Sequence, residues 1–154
     1  MTGKKYLIAV LGLIFASSFV YSDDTGGSGQ FPPHAILNAS YRGDVQMVRA
    51  ILAAGADKDV RDSLGATALH VSVFQQNLVV VRILLENGFD PNVKATKTGN
   101  TPLHYAVSIN NLDAAKLLLQ YGAISNIKNK EGRTALDQAK IEGKTAMVQI
   151  FNRF

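Results

Sequence analysis

The run Thr101-Pro102-Leu103-His104-Tyr105-Ala106-Val107 decides the reading of this chain. Proline in the first turn suits a helix start, because the N–H it lacks would have no intrahelical partner there. The same grammar returns upstream as Thr67-Ala68-Leu69-His70 and downstream as Thr134-Ala135-Leu136-Asp137, at steps of 34 and 33 residues. Gly65, Gly99 and Gly132 stand two residues before these threonines, and Gly55, Gly88 and Gly122 keep the same step. Self-similarity at this period marks a stacked array whose units bury a core only against one another. Function in such an array is sought on surfaces before pockets.

Within one unit, Asn110-Asn111 interrupts the first helix. Leu112, Ala115, Leu117, Leu118 and Leu119 then supply the apolar face of a second, which Gly122 ends in the left-handed region. The stretch from Ala123 to Lys130 is too short and polar for another helix and reads as a projecting, hairpin-like finger. Leu69, Leu84, Leu103, Leu117 and Leu118 are assigned to the core. Thr101-Pro102-Leu103-His104 with Gly122-Ala123, and Gly55-Ala56-Asp57 earlier, resemble the ankyrin repeat. That resemblance implies an all-α solenoid of about four helix-turn-helix units, spanning about 31–62, 63–96, 97–130 and 131–154.

Departures from the pattern fall at the ends. His34 and Leu37 take the threonine and histidine places in the first unit, and the fourth stops at Phe154 without a finger. Terminal units meet solvent on one face and are expected to be atypical. Gln76 and Asn110 replace the glycine between helices, and the finger between Gly88 and Gly99 carries one extra residue.

The N-terminus reads separately. Lys4 and Lys5 precede an apolar run from Tyr6, then small residues, then Asp23-Asp24, the order of a secretory signal peptide over residues 1–22. The run is shorter than the ~20 residues a membrane span needs, which favours cleavage, after Ser22 or after Ser18, over a retained anchor. Residues 23–30, rich in Gly, Ser and Asp, read as a flexible tether. Removing Lys4 and Lys5 lowers the net charge from +4 to +2, too little to argue for nucleic acid. The chain has no cysteine, so an exported form would depend on stacking alone. A periplasmic location is expected, with secretion as the alternative, and no membrane attachment after cleavage.

No catalytic, metal or cofactor site is expected. There is no cysteine nucleophile, Gly-x-Ser-x-Gly elbow or phosphate-binding glycine loop. His70 and His104 stand a full repeat apart, too far to share a zinc ion. The resemblance implies a structural role for them, bonding threonine and backbone groups so that fingers stay in register. Asp137, in the same slot, reads as a capping variant.

The resemblance also points to a surface. In ankyrin-like units the two residues before the interhelical glycine face the concave side, here Tyr41-Arg42, Phe74-Gln75, Ser108-Ile109 and Ile141-Glu142. Tyr41, Phe74, Ile109 and Ile141 would form a bare apolar stripe, a mark of a binding site. Finger tips add Arg61, Asp62, Ser63 and Leu64, then Lys94, Lys97, Thr98 and Asn100, then Lys128, Lys130 and Arg133. The second and third fingers are basic and would steer an acidic surface. The expected function is a non-catalytic protein-binding module, monomeric when unbound. Its expected partner is a periplasmic enzyme such as a peptidoglycan hydrolase, which it would inhibit or confer immunity against. The alternatives are an accessory partner of an oxidative-defence enzyme and a secreted effector binding a host protein.

Overall fold

The computed structural model describes residues 31–154. The signal-peptide and tether readings lie outside the described residues. Eight helices follow in pairs: α1 (Ala35–Arg42) with α2 (Val45–Ala53), α3 (Ala68–Phe74) with α4 (Leu78–Glu86), α5 (Pro102–Ser108) with α6 (Leu112–Gln120), and α7 (Ala135–Ile141) with α8 (Thr145–Phe151). No strand occurs among the described residues. The fold is the all-helical solenoid that the period implies.

Each first helix packs on its own second helix and on the first helices of adjacent units, forming a row α1, α3, α5, α7 beside a row α2, α4, α6, α8. The first row is the more closely packed of the two, the closer spacing that the inner side of a curved stack requires. Burial follows position. In α4, which has neighbours on both sides, Val80, Val81, Ile83, Leu84 and Leu85 are all buried. In α8, which packs against α6 and α7, only Met147, Ile150 and Phe151 are. Leu69, Leu84, Leu103, Leu117 and Leu118 all lie in the core, as expected. At about 25 cal/mol per Å² of apolar surface withdrawn from water, side chains of this size supply the main stabilising term.

The second helices start alike. Asp44, Asn77 and Asn111 each accept, through the side chain, the backbone N–H three residues on, at 3.0, 3.1 and 2.9 Å. Such a cap satisfies one of the unpaired N–H groups of the first turn. Lys144 occupies this place in α8 and cannot accept. It instead donates its ammonium to the carbonyls of Val107 and Ser108 at the end of α5, the latter at 2.9 Å, and so ties the last unit to the third. Gln76 and Asn110 take positive φ of 59° and 56° between helices, as their substitution for glycine suggested.

The fingers are turns, not strand ladders, and they are joined to one another. Thr96 N–H donates to Gly65 O at 3.2 Å, Lys97 N–H to Leu64 O at 3.1 Å, and Lys130 N–H to Thr98 O at 3.0 Å. Close approach explains two of the glycines. A Cβ at Gly65 would sit 2.5 Å from the Thr96 nitrogen, and one at Gly99 2.8 Å from the Lys130 nitrogen.

Candidate functional site

The inner row is organised from its buried side outward. Thr67 and His70 form a capping box at the start of α3, with the imidazole Nδ1 3.2 Å from the Thr67 backbone N–H and 2.9 Å from its hydroxyl. Accepting at Nδ1 leaves the proton on Nε2, which donates to Asn100 O in the next finger at 3.1 Å. Thr101 and His104 repeat the arrangement at the start of α5, reaching Arg133 O at 3.0 Å. Burial pushes the His70 pKa down from 6.5 to about 4, and lowers that of His104 too, so both are neutral spacers at neutral pH. Asp137 makes the same local box, accepting Thr134 N–H at 3.0 Å. That hydrogen bond keeps its carboxyl below the ordinary value. His34 is exposed and makes no side-chain cap.

Above this layer lies an aromatic step. The Tyr105 ring meets buried His70 edge-on at 5.2 Å between centroids, and Phe74 meets Tyr105 edge-on at 6.4 Å and 80°. Phe74 is nonetheless 53% exposed. Edge-to-face geometry at this separation fixes ring orientation as well as area. Burial raises the Tyr105 pKa, with the charge of Asp62 adding to it and a hydrogen bond with Thr98 opposing it, so the ring ends beside the fingers.

Tyr41 and Ile141 are 64% and 65% exposed at the ends of α1 and α7. Arg42, Gln75 and Ser108 are exposed beside them, and the Ser108 hydroxyl donates back to Tyr105 O at 2.8 Å. Ile109 differs, being the half-buried C-cap of α5. Glu142 is committed internally, 2.5 Å from Lys144 and 2.9 Å from the Gln138 amide; the Lys144 hydrogen bond holds its carboxyl below the usual range. Among the finger residues, Leu64 is 50% exposed, and Lys97 and Lys130 are exposed at neighbouring tips. Asn100 is half-buried, its side-chain oxygen accepting from Asn129 at 2.8 Å, and Arg133 pairs with Glu131 at 3.2 Å. Tyr105 is the residue of this face that the register alone does not select. Its signal lies in the position one helical turn before Ser108-Ile109, in line with Val71 and Gln138.

Chemically, this is a row of apolar side chains flanked by polar and basic groups, with its two most buried titratable side chains engaged in structure. No group of three or more His, Cys, Asp or Glu suited to a metal ion occurs among the described residues. A face of this kind acts by contact.

Comparison with known proteins accords with the repeat geometry. The family model for ankyrin repeats matches three times, over residues 13–95, 35–129 and 90–152. The chain is 42% identical over 59 residues to the mitochondrial disaggregase of Bos taurus, and 41% identical over 59 residues to that of Homo sapiens. Each alignment covers 38% of this chain and 9% or 8% of the relative. A putative ankyrin repeat-containing protein of Treponema pallidum is 39% identical over 57 residues, 37% of this chain and 19% of that protein. The chain thus covers less than a fifth of the length of these curated relatives. With four stacked helix pairs, the Thr-x-x-His boxes and the triple family match together, the chain belongs to the ankyrin-repeat family.

Proposed function

We propose that this protein is an exported, non-catalytic binder that occludes a periplasmic enzyme, as an inhibitor or immunity protein, with a peptidoglycan hydrolase as the intended partner class. Ankyrin repeats are protein-binding modules, and the inner face is where this chain offers one. The observation that carries the reading is that Tyr41, Phe74 and Ile141, at the ends of α1, α3 and α7, each leave more than half their surface in solvent. A folded chain gains about 25 cal/mol per Å² by covering such area, and aromatic side chains on a rigid base lose little entropy on docking. The lysine-led apolar leader supports export. A domain with no catalytic constellation acts on an enzyme by covering its surface.

The test is capture from periplasmic extract with the purified protein, followed by assay of whatever is captured. A peptidoglycan hydrolase whose turnover falls in proportion to added protein is the expected result. Capture of an oxidative-defence enzyme, or recovery of the protein from culture medium instead of periplasm, contradicts it.

A further inference from the structure

The fingers differ in charge along the array. The first, between α2 and α3, holds Asp57, Asp59 and Asp62 against Lys58 and Arg61, and the Arg61 guanidinium is taken up by the carbonyls of Gly65 and Lys94, at 2.8 and 2.9 Å. The second holds Lys94 and Lys97 against Asp90, whose carboxylate accepts the Asn92 N–H at 2.8 Å. The third holds Lys128, Lys130 and Arg133 against Glu131, which is paired with Arg133. Charge therefore changes sign from the first finger to the third. Lys94, Lys97, Lys128 and Lys130 are exposed and form no ion pair with any of the described residues. Backbone bonds set Lys97 beside Leu64 and Lys130 beside Thr98, and the Lys94 carbonyl accepts from Arg61, so these basic residues stand on adjoining fingers. On the helical floor, the carboxylate of Glu142 is already matched by Lys144.

Resting on the inner-face reading, we propose that the partner seats an acidic segment over the second and third fingers, with one bulky apolar side chain of that segment on the Phe74–Tyr105 step. Carboxylates of the segment face Lys94, Lys97, Lys128 and Lys130, while the apolar group covers the exposed Phe74 ring. Complementary charge speeds encounter and sets the direction in which the segment lies; the aromatic step holds it once there.

Three peptides of equal length test this by fluorescence anisotropy on the purified protein: glutamate-rich with one central phenylalanine, glutamate-rich with alanine there, and lysine-rich with the phenylalanine. The first should bind at least about tenfold more tightly than either other, and should weaken as salt is raised. A Lys94→Gln, Lys97→Gln, Lys128→Gln, Lys130→Gln variant, checked by an unchanged melting curve, should lose the salt response; Phe74→Ala should lose the preference for phenylalanine. Equal binding of the lysine-rich peptide, undiminished binding by the glutamine variant, or equally tight binding of a single-stranded RNA oligonucleotide overturns the proposal. If the peptides fail while Phe74→Ala still weakens capture of the native partner, the acidic segment alone is wrong. If Phe74→Ala leaves that capture intact, the inner-face reading falls with it.

Discussion

The second and third units hold their neighbours with a histidine, whereas the fourth carries Asp137 in the same slot and holds only itself. His70 and His104 span from their own threonine to a carbonyl of the next finger, while Asp137 closes the box locally. One register position thus serves two purposes in the second and third units and one in the fourth. The last unit compensates from the opposite side, with Lys144 reaching back to α5 where its counterparts cap their own helices. Among the described units, the first and the fourth pack against one neighbour each, and their sequences deviate from the second and third at these positions.

The sharpest way to break this contrast is to delete the spanning side chain. His104→Ala leaves the buried Thr101 N–H and the part-buried Arg133 O without their partner, and should cost about 2 kcal/mol in denaturant unfolding. Asp137→Ala, which frees only a local bond, should cost clearly less. Equal losses would mean that the span between fingers contributes nothing.

Glycines offer the next comparison. Gly99 and Gly122 both adopt positive φ, but a Cβ at Gly99 meets the next finger while one at Gly122 meets open space. Alanine at either place should cost about 1 kcal/mol for the backbone conformation, and at Gly99 about 1 kcal/mol more for the displaced finger. Thermal melts of the two variants measure the difference.

Acid separates the two kinds of unit by pH. An unfolded chain protonates His70 near pH 6.5, the folded one not until about pH 4, so the stability present above 6.5 falls through that window and levels off below it. The steepest fall for one such group is about 1.4 kcal/mol per pH unit. His104, shifted in the same direction, adds to the loss. Asp137, shifted down, contributes above the ordinary carboxylate pKa and is lost only as pH drops through its folded value. Unfolding midpoints across pH should therefore show a higher window that a His70→Gln, His104→Gln variant flattens and a lower one that it leaves. Least affected should be the exposed Asp113–Lys116 pair at 3.5 Å, where Asp113→Asn should change stability by under ~0.5 kcal/mol.

The fold was legible because it rests on spacing. Threonine, leucine and glycine at a fixed step specify where helices start, what they bury and where they stop, and the resemblance to ankyrin repeats supplied the histidine's role. The inner face was legible only in part. Tyr41, Phe74 and Ile141 could be placed from register, yet Ile109 lies half-buried at a helix end, and Glu142 is bound to a lysine two residues away. Tyr105 gains its place from Phe74 and His70 of the preceding unit, a contact between units that no local pattern encodes. Lys144 looks like a solvated surface residue until the α5 carbonyls are seen around it. The fingers are turns, as their short polar stretches suggested, and backbone bonds join neighbouring ones, two between the first and second and one between the second and third.

The central claim is that binding belongs to the inner row, and two equally exposed side chains test it. Phe74 stands on α3 at 53% exposure, and Val79 on α4, in the outer row, at 54%. Affinity for the captured partner should be measured for Phe74→Ala and Val79→Ala side by side. Loss of at least ~2 kcal/mol, about thirtyfold, for Phe74→Ala with no change for Val79→Ala is the outcome expected of an inner-face hot spot. Equal affinities for the two variants, or a loss confined to Val79→Ala, would contradict it.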